Sequence, residues 1–212
     1  MCKLDFYLTG WQREIGEITN DVEDLLYGKY QIEELERIIK GNSFVLENIG
    51  SFWGHYKLNY TYFVISKIWH QIDEDRRSLS LINLLKDLLK HHDLITKKWW
   101  VSRDPVALSS GEFEGNFGKG AFLDPEIVRG DVDKLKKITK EIRKFRHKRV
   151  GHKDKSWEFG FSISSQNIAG ATDLIEILVK KYQLLLTQAG YVSLSPVPDD
   201  WRTAFTQPWI QK

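Results

Sequence analysis

Apolar residues recur every three to four positions along most of this chain, the spacing that places them on one face of an α-helix. Six segments carry the pattern and are predicted to be helices: 4–29, 31–40, 44–73, 79–92, 125–151 and 167–188. Gly28 and Gly190 are predicted to end helices, whereas Ser43, Ser78 and Asp124 are predicted to cap their starts. Because long helices with short connections pack against one another, the sequence predicts an all-α antiparallel bundle of five to six helices.

Segment 44–73 is the richest of the six in large apolar side chains. They nearly encircle it, which predicts the central and most buried helix, although its β-branched and aromatic content leaves a strand open for 60–65. Residues 96–122 lack a clear period and are glycine-rich near their end, so a mobile loop is expected there. The bundle is expected to span 1–190. Prolines and tryptophans in 191–212 predict an irregular C-terminal tail, either strapped to the surface by its tryptophans or disordered.

Composition places the chain among globular proteins of one domain. Its 212 residues are 42% hydrophobic and 28% charged, which is enough apolar material for a core of real size. The single cysteine, Cys2, excludes an internal disulfide and a metal site built on paired cysteines. The N-terminal stretch lacks the apolar core of a signal peptide, and no run approaches the roughly 18 apolar residues of a membrane span. We therefore expect a cytoplasmic protein without a membrane partner.

The sharpest chemical signal lies in the stretch 131–154, DVDKLKKITKEIRKFRHKRVGHKD. The apolar stripe of this predicted helix fades where positive charge peaks, over 146–149. A net charge of +2 is too small to indicate nucleic-acid binding, so any basic footprint must come from such local clustering. Gly151 offers a helix stop, and His152 follows it, six positions after Arg146. The ordinary alternative is a plain helix C-terminus, where lysine and arginine complement the negative end of the macrodipole.

The motif and its surroundings resemble the HEPN superfamily, specifically the branch named for the abortive-infection phage-defence protein AbiU. The superfamily signature is an arginine, often followed by a polar residue, and a histidine four to six positions on, near the end of a long helix. It is matched here by Arg146, His147 and His152. VISKIWHQIDEDRRSLSLINLL (64–85) is similar to the branch's second helix, which runs through an aspartate into a Ser-Leu-Ser-Leu helix start. FRHKRVGHKD (145–154) is similar to its motif helix, which ends in a small residue, a histidine and an acid.

The resemblance covers roughly residues 5–190 and implies both the bundle fold and an activity. Family members with this motif are metal-independent ribonucleases that serve as toxins or defence effectors, and they imply no cofactor. Cleavage would proceed by attack of the ribose 2′-hydroxyl on the adjacent phosphate. Imidazole exchanges protons near neutral pH, which suits His152, and a guanidinium can hold the phosphate, which suits Arg146.

Neighbouring residues are candidates for supporting roles in such a site. Arg143, Lys148 and Arg149 would extend the RNA-binding surface, although a solvated basic face explains each of them equally well. His147 would act as a supporting polar group on the same surface. Asp73 would either pair with an arginine of the site or cap a helix.

Helix geometry sets a condition on the pair Arg146 and His152. On a straight α-helix the two side chains point about 120° apart and lie about 9 Å apart along the axis. Either Gly151 turns His152 back, or two copies of the chain place their motifs face to face. The resemblance implies the second solution, a composite site at the cleft of a homodimer.

Other functions stay open beside the ribonuclease. A non-catalytic helical interaction module would have a salt-bridged Arg146 and a His152 that points to bulk solvent or lies in the core. A third hypothesis is a HEPN subunit that a separate antitoxin, such as a cognate nucleotidyltransferase, keeps inactive. The ribonuclease predicts that Arg146 and His152 are exposed together in a basic cleft.

Two further groups have plain structural explanations that we favour. The pair His91-His92 is expected to cap a helix C-terminus, because adjacent helical residues diverge by about 100° and seldom ligate one metal together. The pair Trp99-Trp100 is expected to pack in the core in preference to stacking on bases.

Overall fold

The computed structural model describes residues 3–103, 110–151, 163–195 and 201–206. Over these residues the protein consists of α-helices with short 3₁₀ and π segments and has no β-strand, which confirms the all-α prediction. The α-helices are α1 Lys3–Lys40, α2 Ser43–Asn48, α3 Gly50–Ile72, α4 Leu81–Lys90, α5 Lys97–Arg103, α6 Ser110–Phe117, α7 Pro125–Ile138, α8 Lys140–Phe145 and α9 Ser165–Thr187. The other helical segments are a π-helix, Arg146–Gly151, and 3₁₀ turns at His92–Leu94 and Trp201–Thr206.

The core lies between α1, α4, α7, α9 and the second half of α3. The helix α1 packs along α9 and α3, and α4 packs on α7. The buried face of each helix follows the predicted apolar stripe, as at Ile15, Leu85, Leu135 and Ile175, which are almost fully enclosed. Both α8 and the π-helix contact α3, so this packing places the basic motif beside that helix.

Two predicted helix terminators do not act as terminators. The first helix runs without interruption through Gly28 to Lys40, so the boundary predicted after residue 29 is wrong. A Cβ at Gly28 would lie 2.7 Å from Cε1 of Phe63, so the missing side chain lets α1 and α3 approach closely. The last long helix ends at Thr187, and Gln188, not Gly190, caps it in the left-handed conformation with φ 62°.

The single helix predicted over 44–73 is divided at Ile49 into α2 and α3. Asn42, not Ser43, caps α2, and its side chain accepts a hydrogen bond from the backbone N–H of Val45. Asparagine is as good a capping residue as serine, so residue type alone could not rank Ser43 above Asn42.

Much of this segment is exposed, so the prediction of a central, most buried helix is wrong for α2 and the first half of α3. Phe44 is 74% exposed and Phe52 is 67% exposed. The first buried residue of α3 is Val64, where the helix enters the core. The whole of 60–65 is helical, which excludes the strand alternative.

Two helices, α5 and α6, occupy a large part of 96–122, where a mobile loop was predicted. Trp100 is fully buried, with ring-centroid distances of 5.6 Å to Phe113 and 6.0 Å to Phe117. This confirms the prediction of core packing for Trp100, whereas Trp99 is half-buried. Phenylalanines four positions apart were the helical signal that the surrounding glycines obscured.

The basic helix predicted over 125–151 consists of α7, α8 and the π-helix. Its start is as predicted, with Asp124 as the cap and Pro125 at the first helical position. The interruption falls at Thr139, which is fully buried and donates its hydroxyl to the carbonyl oxygen of Leu135 at 2.7 Å. Thr19, Thr61 and Thr172 make the same bond inside unbroken helices, so this bond alone does not explain the break.

Two residues of the C-terminal tail, Trp201 and Arg202, contact α1, whereas Val192 and Leu194 contact α9. The Trp201 ring meets the Tyr30 ring edge-on at a centroid distance of 6.5 Å. The Arg202 guanidinium lies 3.4 Å from the buried carboxylate of Glu34. These contacts support the predicted alternative in which a tryptophan holds the tail on the surface. Trp209 lies outside the described residues.

Candidate functional site

The basic motif occupies the junction between α8 and the π-helix. Ile142 and Phe145 are buried and anchor α8 in the core, and Arg146 is the first residue beyond this anchor. In a π-helix hydrogen bonds run from residue i to i+5, so its turns are wider than those of an α-helix. The angle of about 120° between Arg146 and His152, which assumes straight α-helical steps, therefore does not apply here. Segments of this kind are frequent at functional sites.

Arg146 and His147 are brought together on one aromatic ring, that of Trp69 near the end of α3. The Arg146 guanidinium carbon lies 4.4 Å from the Trp69 ring centroid, a cation–π contact. The His147 ring meets the same tryptophan edge-on, with centroids 5.0 Å apart and planes at 80°. Arg146 is half-buried, His147 is exposed, and Arg146 has no ion pair within the described residues. A guanidinium stacked on an aromatic ring in this way is restrained in its orientation.

Arg143, one turn earlier, is directed into the protein. Its Nη2 donates to the carbonyl oxygen of Ile72 at 2.8 Å, and its Nη1 lies 3.0 Å from Glu74. Glu74 also accepts from Lys86 and lies 3.3 Å from Lys136. This carboxylate therefore ties α8 to α4, to α7 and to the loop after α3. The sequence offered Glu74 only as one member of an acidic run, and nothing in that pattern distinguished it from Asp73 or Asp75.

The surroundings of Glu74 change its acidity. Burial acts to raise the pKa of Glu74, but hydrogen bonds and charges from Lys86 and Lys136 outweigh burial and lower the pKa to about 2. In the folded protein Glu74 therefore stays ionised at pH values well below 4.5, the ordinary pKa of a glutamate.

We predict that Glu74→Gln lowers the free energy of unfolding at pH 7 by about 1–2 kcal/mol. This loss is smaller than the pKa shift alone would give, because solvent screens the charge of a partly exposed side chain. The folded pKa lies below the unfolded pKa, so this contribution is complete above about pH 5 and fades as pH falls toward 2. Urea unfolding of both proteins at pH 7 and pH 3 measures it. The matched control is Glu126→Gln, which removes an exposed glutamate paired with Arg129. Equal losses in the two variants, or a loss at Glu74 that does not shrink at pH 3, would contradict this role.

Asp73 has the contacts of a loop cap. Its carboxylate accepts from the Ser78 hydroxyl at 2.8 Å and from the backbone N–H of Asp75 at 3.1 Å. Its carbonyl oxygen accepts from the Ser80 hydroxyl at 2.7 Å. Ser80 is also the residue that caps α4, so the cap predicted at Ser78 is wrong by two positions. Of the two roles predicted for Asp73, these contacts favour the structural one, and no arginine ion pair is formed by Asp73 within the described residues.

The remaining motif residues are placed only in part. Lys148 is exposed on the π-helix. The backbone of Arg149 belongs to the same helix, but its side chain and the whole of His152 lie outside the described residues. The structure thus brings Arg146 and His147 together on Trp69 and turns Arg143 toward Glu74. The predicted pairing of Arg146 with His152 stays a prediction.

The other histidine candidate has a structural role. His91 ends α4, and its backbone N–H donates to the carbonyl oxygens of Asp87 and Leu88, which confirms the predicted C-terminal cap. Across the described ranges, no group of three or more His, Cys, Asp or Glu side chains is arranged to hold a metal ion. Within the same ranges, every helix is too short or too polar to cross a membrane.

Comparison of the chain with protein-family models, with curated proteins and with solved structures found no match in any of the three. The resemblance to HEPN proteins therefore rests on the motif, its spacing and the order of the predicted elements around it.

Proposed function

We propose that this protein is a metal-independent endoribonuclease of a phage-defence or toxin–antitoxin system, acting in the cytoplasm. The observation that carries the proposal is the state of Arg146. Its guanidinium is half-buried on the face of Trp69 and forms no ion pair within the described residues, at the motif where the HEPN resemblance places an RNA phosphate. An arginine whose charge is not already neutralised is what phosphate recognition requires.

The proposed reaction needs two groups, and the motif contains both. Neutral His152 takes the proton of the ribose 2′-hydroxyl while water protonates the leaving 5′-oxygen, or protonated His152 donates to the 5′-oxygen while water takes the 2′-hydroxyl proton. The 2′-oxygen forms a bond to phosphorus while the bond from phosphorus to the 5′-oxygen breaks, leaving a 2′,3′-cyclic phosphate and a 5′-hydroxyl. Arg146 donates hydrogen bonds to the phosphate oxygens as negative charge grows on them.

The flanking residues contribute unequally to this proposal. His147 and Lys148 are exposed and supply polar and positive groups beside Arg146. Arg143 is engaged by Glu74 and the carbonyl oxygen of Ile72, so its contribution to RNA binding is mainly to position α8.

The proposed site is shared between two copies of the chain. An exposed apolar surface, which we name the α2–α3 arm, is available to a second copy. It comprises Phe44, Leu46, Phe52, Leu58 and Phe63. Leu58 lies on the same face of α3 as Tyr62 and Trp69, the ring that carries Arg146, whereas Phe52 and Phe63 point about 120–140° away from that face. Exposed apolar patches of this kind mark interaction surfaces.

The same arm favours the second candidate function, a non-catalytic interaction module or a HEPN subunit regulated by a separate antitoxin. In that case the partner that covers the arm is another protein, and Arg146 serves recognition instead of cleavage. The two functions differ in whether RNA is cut.

The deciding experiment is cleavage of a fluorescent single-stranded RNA in EDTA by wild type, Arg146→Ala and His152→Ala. We expect wild type alone to cleave and to leave 2′,3′-cyclic phosphate ends. Three equally inactive proteins would favour the interaction module. Equal cleavage by all three would assign the activity to other residues or to a contaminant.

Mixing the two inactive variants tests the shared site. If one subunit supplies Arg146 and the other supplies His152, half of the dimers in an equimolar mixture are mixed, and each has one intact site. The mixture should then regain about a quarter of wild-type activity, as two-fold symmetry requires. No recovery, although sedimentation shows that subunits exchange, would place both residues of each site on one chain.

A further inference from the structure

A second charged surface lies apart from the motif, between α1, the loop from Asp73 to Ser80, and α4. It is an open cleft of about 860 Å³, which we name the basic cleft. Five cationic side chains line it: Arg13, Arg76, Arg77, Lys86 and Lys90. Three carboxylates also line it: Glu14, Glu74 and Asp87.

Two of the three carboxylates are already engaged inside the protein. Glu74 is held by Lys86, by Lys136 and by Arg143. Asp87 accepts a hydrogen bond from the indole Nε1 of Trp11 at 2.8 Å. Three cations offset the charge of Glu74, whereas a hydrogen bond from a neutral indole leaves the charge of Asp87 in place.

Three of the five cations have no such engagement. Arg13, Arg76 and Lys90 are exposed, and none of them forms an ion pair within the described ranges. Arg77 differs, because it pairs with Asp75 at 2.8 Å. Positive charge in the basic cleft is thus available from three separate elements: α1, the loop and the end of α4.

The neutral polar groups of the cleft are used internally. The Asn83 amide donates to the carbonyl oxygens of Asp75 and Ser78, at 2.7 Å and 3.0 Å. The Ser78 hydroxyl donates to Asp73, and the Ser80 hydroxyl donates to the Asp73 carbonyl oxygen. The cleft therefore offers charge to a ligand and few hydrogen bonds for reading the edge of a base.

We propose that the basic cleft binds phosphate groups, supplied either by a single-stranded nucleic acid or by a free polyphosphate. Unpaired arginines and a lysine around a cleft of this size match several phosphates in a row better than one carboxylate. Recognition by charge alone makes the binding indifferent to base sequence and strongly dependent on salt. The proposal is independent of RNA cleavage, because it concerns side chains outside the motif.

Fluorescence anisotropy with a 5′-fluorescein-labelled single-stranded DNA of about twelve nucleotides tests the proposal. Such a strand lacks the 2′-hydroxyl, so the motif cannot cleave it and a failed ribonuclease assay does not affect the result. The test protein is Arg13→Gln/Arg76→Gln/Lys90→Gln. The matched control is Lys98→Gln/Lys119→Gln/Lys137→Gln, which removes three exposed cations that do not line the cleft and form no ion pair within the described ranges.

We expect the cleft variant to bind the strand roughly tenfold to a hundredfold more weakly than wild type at 0.1 M salt. The slope of log affinity against log salt should fall by about 2, since each lost contact on a single strand removes roughly 0.7. The control variant should keep both the affinity and the slope of wild type within about twofold. Equal losses in the two triple variants would overturn the proposal.

Glu14→Gln provides a test of opposite sign. Removing a negative charge from the cleft should strengthen binding severalfold, a gain that loss of folding cannot imitate. Unchanged or weaker binding by this variant would overturn the proposal even if the triple variant proved unstable. Displacement of the labelled strand by micromolar inorganic pyrophosphate would identify a free polyphosphate as the ligand. Displacement only by an unlabelled oligonucleotide would identify a strand.

Discussion

Asp131→Asn is expected to lower the free energy of unfolding by about 3 kcal/mol and the melting temperature by about 10 °C. Asp131 lies on α7, is 5% exposed, and accepts from the Lys181 ammonium at 2.6 Å and the Tyr182 hydroxyl at 3.1 Å, both on α9. Asparagine keeps the shape of the side chain but leaves Lys181 without its counter-charge in a largely enclosed position. Removing one partner of a buried ion pair destabilises the protein strongly, because the other charge stays buried without compensation. Replacing both partners by apolar residues of similar volume changes stability far less.

Tyr182 makes the same contact stronger. Burial, followed by the charge of Asp131, raises the pKa of Tyr182, so its phenol stays protonated and remains a donor above the pH at which a free tyrosine ionises. The hydrogen bond from Tyr182 on α9 to Asp131 on α7 should therefore persist into alkaline solution. Thermal and urea unfolding measure the loss.

Asp133→Asn is the matched control for Asp131→Asn, because it makes the same change two residues later on the exposed side of α7. We expect it to change the free energy of unfolding by less than about 0.5 kcal/mol. Similar losses in the two variants would show that the charge of α7, and not the buried contact, is responsible.

Arg146→Lys is expected to reduce RNA cleavage by about a hundredfold or more while leaving thermal unfolding unchanged. The Arg146 guanidinium can lie flat on Trp69 and still direct two parallel donors at a phosphate. A lysine ammonium keeps the charge but is a point donor on a flexible stem, so it loses both the stacking geometry and the paired hydrogen bonds. Initial cleavage rates at saturating RNA separate this effect from weaker binding.

Arg129→Lys is the control, since it makes the same substitution at an exposed arginine on α7 that pairs with Glu126. It should cleave at the wild-type rate. Full activity in Arg146→Lys would mean that position 146 needs only a positive charge, and the role of Trp69 in orienting the guanidinium would have to be abandoned.

Periodicity alone predicted most of the helical content, because each helix buries one stripe and the apolar residues must recur with its turn. The stripe on α4, with Leu81, Leu84, Leu85 and Leu88, is an example, since all four are buried as the spacing requires. Boundaries were predicted less well. Gly28 has the residue type of a terminator, yet its packing against Phe63 in a distant helix decided its role.

Burial could not be deduced from hydrophobicity in the α2–α3 arm. Phe44 and Phe52 are as apolar as any residue of the core, yet both stay mostly exposed. Whether an apolar face meets a partner depends on where neighbouring helices run, which is a property of the assembled bundle.

For the candidate site, the sequence by itself determined the motif: a basic helix end with Arg146 and a histidine six positions later, in a chain with a single cysteine. These follow from residue types and local spacing. Only the tertiary structure decided that Trp69 lies under Arg146, that Glu74 engages Arg143, and that α1 and α4 enclose a basic cleft. Each of these contacts joins residues far apart along the chain, and helical periodicity has no information about which distant faces will meet.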